Sequence, residues 1–274
     1  MMRRNIFLII AALAGGAFIS IAYVNPYEGR ISLSGVILQI TGSRGDFMLG
    51  YSMSALLTLF MKLLPFFLFQ LYAGIQMYKQ FCTASVYVFS RVTDRTRWYI
   101  KELFNLGKMT LLFLVLYLAS VLAVAGMRWD VRWTGTGFIV SVYYLLIYGF
   151  WLFAMTLAVN LLAVFAGSSS AFVVVFGGQA LMLTLLGLLR TVPEQSAAFL
   201  WLIRLDPASR LVIGWQAEHF ESVHGLFSPS SYGICLTGTA VYMLCAAALI
   251  GCIGGFAVKR KDVIISDVEN GGAV

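Results

Sequence analysis

The sequence predicts an all-α, polytopic membrane protein: a six-helix transmembrane bundle with short amphipathic cytoplasmic and extracellular helices. Three observations carry this. Hydrophobic residues make up 60% of the 274 positions and charged residues only 11%, too few polar groups to cover an ordinary soluble domain. Apolar runs recur at the length of roughly 20 residues that crosses a bilayer as a helix. Nothing shows the short alternating segments of an outer-membrane barrel, and backbone groups in lipid must then be satisfied within helices.

Six spans follow in order, at 6–24, 54–78, 109–126, 138–165, 172–189 and 233–258, all within one transmembrane domain covering 1–274. Arg3 and Arg4 precede the first. Its apolar run continues past Ala12-Leu13-Ala14 to Val24, longer than the roughly 7–15 residues of a signal h-region, so an uncleaved anchor fits better than a signal peptide. The fourth is long enough to tilt. Between the second and third, residues 79–108 hold six basic side chains. A turn and N-cap signal at Thr93 and Asp94 opens a short amphipathic helix there. Arg97, Lys101, Asn105 and Lys108 share one face and Tyr99, Ile100, Leu103 and Leu106 the other, the pattern of a helix lying along a membrane or against a partner. A basic loop that only sets topology is the alternative.

Basic residues also orient the chain. With the N-terminus inside, the cytoplasmic side holds eleven Lys and Arg against seven outside, and both termini are expected in the cytoplasm. The net charge of +7 then reports topology and contact with anionic lipid, and no separate basic domain points to nucleic acid. On the outer side 25–53 and 191–232 are long and 127–137 is short. In the longer loop Pro193 suits the first turn of a helix through 194–204, and Asp206-Pro207 reads as an N-cap and N1 proline for another. These helices either dip into the outer interface or pack on the bundle ends.

The chemical inventory is thin. No G-x-x-x-x-G-K-[ST] loop occurs, so this chain does not hydrolyse ATP through a P-loop of its own. His219 and His224, beside Glu218 and Glu221, lack a zinc-protease pattern and read as surface residues. Cys82, Cys235, Cys245 and Cys252 form no C-x-x-C pair and suggest small packing residues, with no metal or disulfide framework. All twelve Asp and Glu fall outside the spans, where an ion-coupled carrier needs an acid or histidine at membrane depth. Within them, Lys62, Gln70, Asn160 and Gln179 are candidates to line a translocation pathway. Lys62 alternatively snorkels to the outer interface, and the polar amides alternatively bond across helices. Gly251 and Gly255 form a G-x-x-x-G pair suited to close helix approach.

Taken together, six spans, termini inside, a basic amphipathic segment after the second span and a long helical outer loop before the last resemble the permease subunits of type-2 class bacterial ABC exporters. Ser90-Arg91 followed by Asp94-Arg95-Thr96-Arg97-Trp98-Tyr99 and Lys101 is similar to the S-R-x-x-S-R-x-x-W-Y-x-x-K segment of small permeases of this kind, with Asp94 at a serine-like position. The resemblance implies a bacterial inner-membrane location and an ATPase-coupling role for Arg91, Asp94, Arg95, Arg97, Trp98, Lys101 and Glu102. It implies nucleotide-binding ATPase subunits as partners, carrying ATP and Mg while this chain holds no cofactor, and a second permease chain forming a homo- or heterodimer. It also implies export of a peptide or other hydrophobic or amphipathic compound. A non-transport membrane scaffold or sensor is the rival, separated by whether an ATPase co-purifies.

Overall fold

The computed structural model describes residues 2–26, 29–42, 53–80, 95–188, 196–217, 219–220, 222–230 and 232–260. Its helices are α1 (Met2–Tyr23), α2 (Leu33–Thr41), α3 (Met53–Ala73), α4 (Arg95–Arg128), α5 (Gly135–Ala166), α6 (Ser168–Leu188), α7 (Ala197–Leu205), α8 (Val223–Phe227) and α9 (Leu236–Arg260). Two three-residue strands, β1 (Arg30–Ser32) and β2 (Asp130–Arg132), pair in parallel, with Arg30 and Asp130 in an exposed ion pair at 3.4 Å. Among the described residues, six helices are long and apolar enough to cross a membrane: Ile6–Tyr23, Leu57–Gln80, Arg95–Arg128, Gly135–Ala166, Ser168–Leu186 and Leu236–Lys259. The six-helix expectation and the helical class hold at this level.

α1 and α4 run side by side in the same direction. Ser120 Oγ donates to the Leu13 carbonyl at 2.7 Å and Ser20 Oγ to the Val121 carbonyl at 3.0 Å. Where they end together, Arg128 Nη1 donates to the Ile21 carbonyl and Trp129 Nε1 to that of Val24. Small residues and hydroxyls do this joining because lipid supplies no hydrophobic drive between helices. The start of α4 lies beside the finish of α9, so α1 begins where α9 ends. This is the terminal end of the bundle. The ribbon, α2, α7 and α8 gather at the far end.

At the centre is α5, which packs on α2, α3, α4, α6 and α9. Its Tyr144, Tyr148 and Trp151 meet Phe66 of α3 and Phe113 and Tyr117 of α4 in a buried aromatic cluster, with Phe66 to Tyr117 centroids at 5.1 Å and Phe66 to Trp151 edge-on at 6.2 Å. Offset and edge-on pairs are the geometry that ring quadrupoles favour.

Three elements depart from the sequence expectation. The predicted amphipathic helix near 94 and the span from 109 are one continuous helix, α4, of 34 residues. At about 1.5 Å per residue it is about 50 Å long, against about 30 Å of hydrocarbon. Charges at Lys101 and Lys108 interrupt the apolar run without ending the helix, since nothing between 95 and 109 breaks its hydrogen bonding. Second, the loop 25–53 contains α2, whose N-cap Ser32 accepts from Gly35 N–H at 3.1 Å. Third, Asp206-Pro207 opens two 3₁₀ turns, Ser209–Leu211 and Ile213–Trp215, in place of an α-helix. The helix expected from Pro193 starts at Ala197 behind the N-cap Ser196, while 193 and 194 lie outside the described residues.

Candidate functional site

The sequence singled out two groups of residues, and both meet near the terminal end. The first is a polar seam at membrane depth. Gln70 of α3 and Gln179 of α6 exchange two hydrogen bonds, Gln179 Nε2 to Gln70 Oε1 at 2.8 Å and Gln70 Nε2 to Gln179 Oε1 at 3.2 Å. Their exposures are 0% and 4%, so each amide finds its partner in the other and not in solvent.

About one turn further on, α3 gives way at Gly74 and Ile75 to a turn, and helix resumes over 76–80. In an unbroken helix the Met77 N–H would bond the Ala73 carbonyl, four residues back. Here the Asn160 amide of α5 stands between them. Its Oδ1 accepts from Met77 N–H at 2.9 Å, and its Nδ2 donates to the Ala73 carbonyl at 3.0 Å and to Thr156 of its own helix at 2.9 Å. Asn160 is 1% exposed. A side chain inserted into the helical ladder is a recognised cause of a sharp break, and inside a membrane the freed groups must find such a partner. Glycine is required at 74, because a Cβ there would come within 2.8 Å of Val159 Cγ1.

The second group is the base of α4. Arg91 and Asp94 lie outside the described residues. Arg97, Lys101 and Lys108 are exposed, while Arg95, Trp98 and Glu102 are half-buried. The apolar positions divide: Tyr99 and Leu106 turn into the bundle, whereas Ile100 and Phe104 are exposed, Phe104 at 67%. That split gives the base of α4 a basic stripe, an exposed apolar stripe and a buried stripe. Tyr99 is the anchor. Its hydroxyl donates to the Gly251 carbonyl of α9 at 2.9 Å and its ring lies on Gly255. A Cβ at Gly254 would overlap the Tyr99 hydroxyl, so Gly254 and Gly255 serve packing inside this chain, whereas a Cβ at Gly251 would meet open space.

These two groups adjoin. Trp98, Met77 and Asn160 line one small crevice together with Leu161, Val164 and Val258. With its amide turned so that the nitrogen faces the carboxylate, Gln80 would donate to Glu102 at 3.1 Å. The base of α4 and the broken end of α3 thus adjoin at this crevice.

Lys62 stands apart from the seam. It is 6% exposed, and its ammonium lies 5.3 Å from the centre of the Tyr23 ring, towards the far end where α1 finishes. Desolvated cations on aromatic faces are held by the ring quadrupole.

At the far end, residues 203–216 form a turn-rich plug whose carbonyls are capped by side chains. The one hydroxyl hydrogen of Ser209 is shared between the carbonyls of Ile203 and Asp206, Arg210 Nη2 donates to that of Arg204 at 2.8 Å, and Gln216 Nε2 to that of Arg210. Tyr148 OH reaches the Leu211 carbonyl at 2.8 Å. Tyr148 lies thirteen residues along α5, about 20 Å from its start at the helical rise. Irregular backbone buried inside the bundle needs partners supplied by protein, and these side chains provide them. The Arg210 guanidinium lies 4.1 Å from the Tyr242 ring, and burial lowers its pKa. Asp206 accepts from Ala208 N–H at 3.0 Å, yet burial pushes its carboxyl up to about 6.

Among the described residues no three His, Cys, Asp or Glu come together in a metal-binding group; His219 and His224 are exposed, and Glu218 and Glu221 lie outside the described residues. No family model matches the chain, and no curated protein and no solved structure matches it.

Proposed function

We propose that this chain is the permease subunit of an ATP-driven transporter resembling the type-2 class of bacterial ABC exporters, multi-pass in the inner membrane with both termini cytoplasmic. A separate nucleotide-binding ATPase, which carries ATP and Mg, docks on residues 91–102. The observation that carries this reading is the base of α4: a basic stripe of Arg97, Lys101 and Lys108, exposed on a helix too long for the bilayer and tied into the bundle through Tyr99. Rim charges of this kind steer and register a reversible partner even where each exposed pair contributes only about 0–1 kcal/mol.

In this reading ATP binds a closed state of the ATPase pair more tightly, which is the condition for nucleotide to shift the equilibrium. Closure displaces α4, and α9 follows through Tyr99 as a packed unit. Two permease chains pair around the pathway, and the cargo is a peptide or other hydrophobic or amphipathic compound.

The test is a pull-down in mild detergent followed by identification of P-loop proteins. Arg97→Glu combined with Lys101→Glu is expected to lose the ATPase while the permease stays monodisperse. Full retention of the ATPase by that double variant sinks the docking role, and absence of any P-loop partner from the wild type sinks the transporter reading.

A further inference from the structure

Arg210 is a cation that no acid among the described residues answers. It stands next to Leu211, whose carbonyl Tyr148 holds about 20 Å along α5, and over the ring of Tyr242, about 9 Å from Leu236 along the uncharged run of α9. The guanidinium therefore lies level with the interior of two apolar spans and not with their ends. On Nη2 it bonds the Arg204 carbonyl, while its Nε–H is buried with no acceptor. Asp206, four positions earlier, turns its carboxyl to the Ala208 N–H instead. Capping a carbonyl needs no charge, for Ser209 and Gln216 do it in the same segment with neutral groups. A cation held among apolar helices is costly, and where no acid neutralises it the charge itself calls for a ligand.

Two further features describe that ligand. Thr239, fully buried and one turn from Tyr242 on the same face of α9, has a hydroxyl without a partner, a second donor on the face that carries the arginine. Arg210 is itself only half-buried, and Leu205 of α7 and Val241 and Leu244 of α9 are exposed apolar side chains on the same stretches of chain. We propose that Arg210, with Thr239, binds the anionic head, a carboxylate or a phosphate, of an amphipathic molecule whose apolar part lies along the exposed side chains of α7 and α9. A guanidinium suits this role because its charge is permanent and its flat fork pairs with two oxygens at once, while the Tyr242 ring holds it from behind. The amphiphile is either a membrane phospholipid or the cargo. This inference goes beyond the docking reading and needs no ATPase.

The experiment uses the full-length chain purified in a neutral maltoside detergent, with native mass spectrometry measuring bound dodecyl phosphate and dodecanoate against uncharged dodecanol. Wild type is expected to bind the two anions about tenfold more tightly than the alcohol, the worth of one charge-assisted hydrogen bond. Arg210→Gln is expected to lose that preference, Thr239→Val to weaken it, and Arg210→Lys, which keeps the charge, to retain most of it. The double variant Arg97→Glu, Lys101→Glu, altered at the opposite end, is expected to bind as wild type does. Equal binding of anion and alcohol by wild type, an undiminished preference in Arg210→Gln, or a loss confined to the double variant overturns the site. Should Arg210→Gln not fold, an unchanged preference in Thr239→Val overturns it instead. Phosphatidylglycerol then separates the two sources: its displacement of dodecyl phosphate supports the site and assigns it to membrane lipid, and its failure to displace supports the site and assigns it to a cargo amphiphile. Since the assay holds no ATPase, its failure leaves the docking reading standing, and failure of docking leaves this site standing.

Discussion

Tyr99 and Asp206 show how single side chains set behaviour at opposite ends of the bundle. The Tyr99 hydroxyl is spent on one carbonyl of α9, so Tyr99→Phe removes one hydrogen bond and keeps the ring on Gly255. A loss of about 1 kcal/mol is expected, read as a modest drop in thermal midpoint in detergent. Gly254→Leu is expected to cost far more, because the added atoms meet Leu161 within 2.6 Å as well as the tyrosine. Asp206 titrates near 6 in the folded chain against 3.8 for the free side chain, so the folded state holds its proton more firmly. Stability from this group is therefore full below about pH 4 and is lost as pH rises through 6. Asp206→Asn keeps an oxygen for Ala208 N–H and cannot ionise; the thermal midpoint of wild type relative to this variant is expected to be higher at pH 5 than at pH 7. An equal difference at both values would mean that the carboxyl does not titrate in that window. Neither tyrosine contact nor carboxyl burial was legible in the sequence, since each depends on an element far along the chain.

At the scale of elements, the spans were legible because hydropathy is local and lipid leaves the backbone few choices. The extent of α4 and the existence of α2 were not. The basic side chains at 101 and 108 ended the predicted span, although a helix continues through a membrane surface when nothing breaks its ladder. α2 did carry a signal, the N-cap Ser32 ahead of Val36, Ile37 and Ile40 at helical spacing. Nine residues are too few to cross a bilayer, and a stretch that crosses nothing passes for a loop until its burial is seen. Val36 and Ile37 are fully buried against the rest of the bundle. Ile37→Ala is expected to cost about 2–5 kcal/mol, seen as a lower midpoint of thermal or denaturant unfolding. A change below 0.5 kcal/mol would mean that α2 does not pack there. The break in α3 had only Gly74 to announce it, and the residue that makes it, Asn160, sits 83 positions from Met77.

For the whole molecule, the sequence predicts orientation through charge and the structure supplies two distinguishable ends. Cysteines at Arg97 and Lys259, both exposed at the terminal end, are expected to react with an impermeant maleimide only after the inner membrane is opened. One at Trp133, exposed near the far end, is expected to react in spheroplasts without that step. The reverse pattern would place the basic stripe outside and remove the docking proposal. Composition together with the recurrence of long apolar runs pointed to a helical bundle with six apolar spans, because removing that much apolar surface from water dominates every other choice. Only the tertiary structure decided which polar groups answer one another: Gln70 with Gln179, Asn160 with the open backbone of α3, Tyr99 with α9. Such pairings form because a buried donor or acceptor in lipid has no water to turn to, and which partner it meets is fixed by how the helices pack, a property no window along the chain contains.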